Sequence, residues 1–191
     1  GITPFPAGII QGIKRGLEIT QISTFSHDIN EEDIRQVYFA LRELSSKETL
    51  LTTQIYRDKK APSNKAAKTN PDEILSQMTE FLDWINSLDG RETHPLIKAS
   101  IVKGKIMSMQ PFATNNETMS NLLSYKILKS AGYTIKDFCH LEMAYTEDLL
   151  EYEIALDSIE REKDLTSWIN FYTGAMALEA AKKRGEILLL S

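Results

Sequence analysis

The sequence contains one cysteine, Cys139, among its 191 residues. It therefore cannot form an intrachain disulfide, and no zinc site can be built from its cysteines alone. A lone cysteine fits a reducing compartment, so we expect a cytoplasmic protein. No apolar stretch approaches the ~18 residues of a membrane span, and we expect no membrane partner.

Glycine and proline are also scarce, at 9 and 6 residues, which excludes collagen-like and low-complexity chains. The three histidines, His27, His94 and His140, lack the close spacing of metal ligands, so we expect no metal site. Acidic residues outnumber basic ones by 27 to 22, giving a net charge of −5. This balance argues against a nucleic-acid partner.

The stretch from Arg57 to Lys68 is basic, in contrast to the acidic balance of the whole chain. It has a single acidic residue, Asp58, and its cations are Arg57, Lys59, Lys60, Lys65 and Lys68. A solvated loop would explain such a stretch, and so would a surface that faces an anionic partner.

Most of the remaining chain has helical periodicity. The clearest helix is Pro71 to Ser87, because Asn70 suits its N-cap and Glu73 would complete a capping box. The other predicted helices are Asn30 to about Leu44, Pro95 to about Ile106, Glu117 to Ser130, Glu142 to about Ile159 and Leu165 to about Arg184.

The helical period fails between Leu50 and Pro62, where β-branched and aromatic residues favour an extended segment. We predict one small β-hairpin near Thr52 to Arg57 in an otherwise all-α bundle. No linker or repeat divides the chain, so we predict a single domain over residues 1–191.

A polar loop separates the third and fourth of these helices, in the stretch MQPFATNNETMSN that runs from Met109 to Asn121. A helix, a tight loop and a helix N-terminus can together cradle phosphate. The stretch resembles the Fic family, whose signature is H-P-F-x-[D/E]-G-N-G-R-x-x-R. Similar resemblances lie at Thr93–Ala99, at the flap Gln54–Arg57, at Glu151–Leu156 and at Asp164–Tyr172.

The resemblance implies a Fic-like helical bundle with a core of about residues 31–172. Residues 1–30 would then be a helical or irregular extension, and residues 173–191 a helix end and tail. Family members typically transfer AMP from ATP to a hydroxyl of a target protein. Their motif histidine is the general base, the acidic residue holds magnesium, and the arginines grip phosphate. The flap aligns the target as an added strand.

The motif is only partly matched. Pro111, Phe112 and Asn116 agree with it, and we expect Gln110 to end a core helix and Phe112 to lie buried beneath the loop. The other positions depart: Gln110 replaces the histidine, Thr114 the acidic residue, Asn115 and Glu117 the two glycines, and Thr118 and Asn121 the two arginines.

These departures remove the groups that the resemblance identifies with catalysis. Gln110 cannot accept a proton at neutral pH, and a general base is worth roughly 10²–10⁴ in rate. Thr114 is a poor magnesium ligand beside a carboxylate. Neither Thr118 nor Asn121 can hold phosphate as arginine does. We therefore expect no cofactor, and ATP and magnesium only if the chain is nevertheless a transferase.

Two residues near the loop admit more than one interpretation. Glu117 is either an ordinary first-turn acid or a carboxylate that occupies the phosphate cradle from within. Lys103 lies two helical turns before Gln110 and could act as a substitute base, although neither Gly104 nor Lys105 supports that role.

Three hypotheses follow. The first is a degenerate Fic-fold pseudoenzyme that binds a protein partner through its flap edge, formed by Gln54, Ile55, Tyr56 and Arg57. The second is an atypical AMP transferase, and the third is a helical domain of a larger interaction protein. The loss of the histidine together with both arginines favours the first and third hypotheses. The sequence leaves the partner and the oligomeric state open.

Overall fold

The computed structural model describes residue 18 and residues 28–41, 54–59, 69–133 and 149–189. Within these ranges the chain is all-α, as predicted. Its helices are α1 (Glu31–Leu41), α2 (Pro71–Asn86), α3 (Leu88–Glu92), α4 (Pro95–Met109), α5 (Asn116–Ser130), α6 (Leu149–Arg161) and α7 (Thr166–Leu189).

The predicted helices all recur, with small differences at their ends. The predictions for residues 42–44 and 142–148 lie outside the described residues. The five-residue helix α3 was not predicted, because it follows α2 directly and is too short for a periodic pattern. Its N-cap is Ser87, whose hydroxyl accepts a hydrogen bond from Gly90 N at 3.1 Å.

The predicted hairpin falls only partly on described residues. Residues 54–57 are extended, and Tyr56 forms one isolated antiparallel bridge with Phe112. The segments that would complete a hairpin lie outside the described residues, so the hairpin stays a prediction.

Helix starts are set by local hydrogen bonds. Asn30 and Asp33 form a reciprocal box at α1: Asp33 N donates to Asn30 Oδ1 and Asn30 N donates to Asp33 Oδ2, both at 2.9 Å. At α2 the expected box is wrong in detail. Asn70 occupies the N-cap position, but its side chain caps no backbone amide and instead donates to Glu73 Oε1 at 3.4 Å.

The centre of the fold is an antiparallel hairpin of α4 and α5. Ser124 Oγ of α5 donates to the Ala99 carbonyl of α4 at 2.9 Å. Helices α6 and α7 pack against α4, where Trp168 Nε1 donates to the Ser100 carbonyl at 2.6 Å. A Cβ on Gly104 would lie 2.5 Å from Trp168 Nε1, so this crossing needs a residue without a side chain.

One hydrophobic cluster unites these helices. Its largest fully buried apolar and aromatic side chains are Trp168, Tyr38, Tyr172, Phe112, Ile34, Ile74, Met78, Ile85, Ile106, Met119 and Leu123. A buried ion pair between Asp33 and Lys126, 3.6 Å apart, joins α1 to α5. Among the described helices, none combines the length and the apolar character needed to cross a membrane.

Candidate functional site

The polar loop lies at one end of the α4–α5 hairpin. Helix α4 ends at Gln110, which takes a left-handed conformation with φ 45° and donates its N–H to the Ile106 carbonyl at 2.8 Å. Helix α5 begins after Asn115, so the connection is only a few residues long. The expected end of a core helix at Gln110 is confirmed.

Phe112 and Asn116 hold the loop closed. The side-chain oxygen of Asn116 accepts from Phe112 N at 2.9 Å, and its nitrogen donates to the Phe112 carbonyl at 2.8 Å. The Phe112 ring is 1% exposed and stacks on Tyr38 with centroids 5.0 Å apart. The predicted burial of Phe112 is therefore confirmed, and the two retained residues shape the backbone of the loop.

Asn115 stands at a glycine position of the motif and adopts a backbone conformation that glycine favours. Its φ of 62° and ψ of 22° lie in the left-handed region, which glycine favours. Asparagine is one of the few other residues that enter this region at modest cost. The loop conformation thus survives the loss of that glycine.

Arg57 is an internal cap of α4 rather than part of a basic surface. Its guanidinium donates to the carbonyls of Gln110 at 2.7 Å, Met109 at 3.2 Å, Thr69 at 2.8 Å and Lys59 at 2.8 Å. The residue is only 5% exposed, and its burial lowers the pKa of the guanidinium. The expectation that Arg57 helps attract an acidic partner is therefore wrong, because its donors are engaged with backbone at a helix end.

The flap segment is joined to the loop through one edge. Arg57 N donates to the Pro111 carbonyl at 2.8 Å, beside the bridge of Tyr56 with Phe112. Because backbone groups alternate along an extended segment, those of Tyr56 and Gln54 face the opposite edge. Ile55 is buried and Gln54 is exposed, while burial, assisted by the Glu31 charge, raises the pKa of Tyr56.

The residues that stand at the catalytic positions of the motif differ in exposure and in contacts. Thr114 is exposed, and Gln110 and Thr118 are half-buried. Asn121 turns toward α4, where its Oδ1 accepts a hydrogen bond from Lys103 Nζ. Lys103 is 2% exposed, so this ammonium lies inside the bundle.

Glu117 lies in the first turn of α5 and is exposed. Among the described residues, its carboxylate makes no hydrogen bond to the amides of the loop. Burial, together with the negative charge of Glu117, raises the pKa of Tyr152 on α6. The position and exposure of Glu117 match those of an ordinary first-turn acid, and they give no support to a carboxylate that occupies the phosphate cradle.

Comparisons with known proteins agree on the fold. No protein-family model matches the sequence. A Fic family protein from Desulfovibrio desulfuricans G20 superposes with a TM-score of 0.73 at 19% identity, covering 96% of this chain and 56% of that chain. A Fic-1 fragment from C. elegans superposes with a TM-score of 0.70 at 18% identity, covering 100% and 56%.

The chain carries a Fic domain. The protein adenylyltransferase fic-1 of Caenorhabditis briggsae is 26% identical over 124 residues, which are 62% of this chain and 23% of the worm protein. The match thus spans less than a quarter of that relative's length.

Sequence reasoning did not find two internal contacts of this Fic domain. The four carbonyl acceptors of Arg57 come from three separate segments, and no local pattern indicates them. Lys103 and Gln110 are seven residues apart, so a shared helical face was foreseeable. That Lys103 is fully buried and bonds Asn121 depends on how α5 packs against α4.

Proposed function

We propose that this Fic domain is a pseudoenzyme that has lost AMP transfer and acts by recognising a protein. The observation that carries the proposal is the contact of Lys103 with Asn121. Asn121 stands where the motif has its second arginine, and its side chain is engaged inside the bundle. The loop is held by Asn116 and Phe112, while the side chain at the second arginine position is engaged with Lys103.

The side chains of the loop fit ATP and magnesium poorly. A triphosphate needs cations around it and a carboxylate for its metal ion. The position of the motif acid holds Thr114, and the first arginine position holds the half-buried, uncharged Thr118. Arg57 is engaged with carbonyls, and Glu117 brings a negative charge to the end of α5 that would receive phosphate. We therefore derive no catalytic step through a nucleotide.

Labelling with a fluorescent ATP analogue tests the loss of transfer. The wild-type chain should label neither itself nor proteins of a cell lysate, and neither should Gln110→His, because the other positions remain unchanged. An active Fic protein in the same lysate is the positive control. Robust labelling by the wild type would overturn the proposal.

The alternative is an atypical protein adenylyltransferase. The name of the curated relative from C. briggsae favours it, as does the closed loop conformation held by Asn116. Calorimetric titration with ATP and magnesium distinguishes the pseudoenzyme from the adenylyltransferase. Binding that is lost in Thr118→Glu, but kept when the same change is made at the exposed Lys129, would favour the alternative.

For the recognition surface we propose the outer edge of residues 54–57. The described backbone hydrogen bond of this segment, from Arg57 N to the Pro111 carbonyl, lies on its inner edge beside the bridge of Tyr56 with Phe112, so a partner strand would add at the other edge. Lys59 is exposed beside this edge and would favour an acidic partner. The remaining lysines of the basic stretch, Lys60, Lys65 and Lys68, lie outside the described residues.

Paired variants test this edge. Gln54→Pro removes a donor that faces the outer edge, and Lys59→Glu reverses the exposed charge. Gln54→Ala is the control for the first variant, since it changes the side chain but keeps the backbone donor. Lys129→Glu is the control for the second, since it makes the same charge change at the C-terminal end of α5. Loss of captured partners in the first pair alone is expected. Equal capture by all four variants would show that the edge is not the recognition surface.

A further inference from the structure

A cavity lies at the far end of the α4–α5 hairpin, opposite the end that carries the polar loop. The cavity has a volume of about 550 Å³ and is lined by Asp28, Arg91, Thr93, Pro95, Lys98, Ile127, Ser130 and Ala131. Helix α4 has 15 residues, so its two ends are separated by about 22 Å. The cavity is therefore distinct from the polar loop.

One of the lining residues, Lys98, has a buried ammonium. Lys98 is 7% exposed, and its Nζ donates to the Ile85 carbonyl at 2.8 Å. Of the described residues, only this carbonyl accepts a hydrogen bond from Lys98, although an ammonium has three donors. Burial, and then the charge of Arg91, lowers the pKa of Lys98, while Asp28 opposes that shift. A buried cation with unused donors is costly unless a ligand compensates it.

The charges around Lys98 leave an excess of one positive charge. Arg91 Nη2 contacts Asp28 Oδ1 at 2.7 Å, so this pair is neutral and Lys98 is not balanced by it. Pro95 is the first residue of α4, whose N-terminal end carries a partial positive charge. A ligand carboxylate at this position would pair with the charge of Lys98.

The lining also contains two hydroxyls that can act as acceptors. Thr93 Oγ1 donates its hydrogen to the Asp89 carbonyl at 2.7 Å, and Ser130 Oγ donates to the Ile127 carbonyl at 2.8 Å. Both hydroxyls therefore offer lone pairs to a ligand. The end of α5 at Ser130 and Ala131 carries the partial negative charge of a helix C-terminus. These groups suit a cationic donor, which the Asp28 carboxylate would then share with Arg91.

We propose that this cavity binds a small zwitterion of the α-amino acid class with an aliphatic side chain. Its carboxylate pairs with Lys98 and lies near Arg91, and its ammonium is held by Asp28 and the two hydroxyls. Pro95, Ile127 and Ala131 provide the apolar wall for the side chain. The inference is independent of whether the loop transfers AMP.

The probes are L-leucine and its two halves, 4-methylpentanoate and 3-methylbutylamine, titrated into the full chain. Binding is followed by calorimetry and by the amide NMR signals of Ser130 and Ala131. Leucine should bind with shifts at these two amides, and each half should bind at least about tenfold more weakly, since each lacks one charge-assisted contact. No leucine binding, or equal binding of 4-methylpentanoate, would overturn the proposal.

Two variants connect the binding to this cavity. Lys98→Met should weaken leucine binding by about tenfold or more, whereas Lys105→Met on the same helix should leave it unchanged. Because Lys98→Met also loses the contact with Ile85, a second variant, Ala131→Phe, fills the cavity from an exposed position. Undiminished binding in Ala131→Phe would place the ligand elsewhere.

Discussion

The two ends of the α4–α5 hairpin use their polar side chains in opposite ways. At the loop end, Arg57 and Asn116 are engaged by backbone carbonyls and amides, and they hold the chain in shape. At the far end, Lys98, Arg91 and Asp28 line an open cavity. At the end that resembles a catalytic motif, these polar groups thus stabilise the backbone, while at the other end charged groups line a cavity.

The strongest test of this contrast is Phe112→Ala. The ring is fully buried beneath the loop against Tyr38 and Tyr56, so its removal should lower the free energy of unfolding by about 3–5 kcal/mol. Urea melts measure the loss. Leu88→Ala, at a side chain that is 70% exposed, should change stability by less than about 0.5 kcal/mol. A loss below about 1 kcal/mol for Phe112→Ala would mean that the loop is not held from beneath.

Gly104→Ala tests the middle of the hairpin. Alanine gains about 1 kcal/mol of helix propensity, but its Cβ would overlap Trp168, so we expect a net loss of about 1–3 kcal/mol in thermal and urea melts. Gly174 on α7 has no atom within 4 Å of such a Cβ. Gly174→Ala should therefore raise stability by about 0.4–1 kcal/mol. A change in the free energy of unfolding with the same sign in both variants would contradict the tight crossing of α4 and α7.

Asn116→Ala tests the closure of the loop. Two hydrogen bonds to Phe112 are lost, which predicts a decrease of about 1–2 kcal/mol in the free energy of unfolding. Asn70→Ala is the control, since this asparagine also stands at a helix start but caps no backbone amide, and it should cost less than about 0.5 kcal/mol. Equal losses of stability in the two variants would mean that the hydrogen bonds of Asn116 to Phe112 do not stabilise the loop.

The smallest effect is expected at the far end. Ala131→Phe extends an exposed side chain into space that is already open, so stability should change by no more than about 0.5 kcal/mol. Differential scanning calorimetry of the ligand-free chain checks this. A loss above about 1 kcal/mol would indicate that the far end is packed, and the contrast between the two ends would then fail.

Much of the fold was predictable from local patterns. The helical periodicity located α2, α4 and α5 to within a few residues, and Pro71 and Pro95 marked two of the starts. The loop after Gln110 and the burial of Phe112 also followed from sequence. Such features depend on residues within one or two turns of each other, so the sequence carries them directly.

The candidate site was predictable only in outline. The matches at Phe112 and Asn116 indicated a retained loop, and their contacts agree with that. Arg57, however, lies in a stretch that was interpreted as either a solvated loop or a surface facing an anionic partner, and it instead caps α4 from inside. A basic residue among lysines has the composition of a solvated stretch, and only the approach of α4 to residues 54–59 buries it.

By itself, then, the sequence determined which segments are helices, where the polar loop lies and which side chains it lacks. The tertiary structure decided which polar groups remain available. Lys103 and Lys98 are both lysines on α4, yet the first bonds Asn121 inside the bundle and the second lines a cavity. Their difference arises because burial depends on which helix packs against each face of α4, and that is set by contacts between residues far apart in the chain.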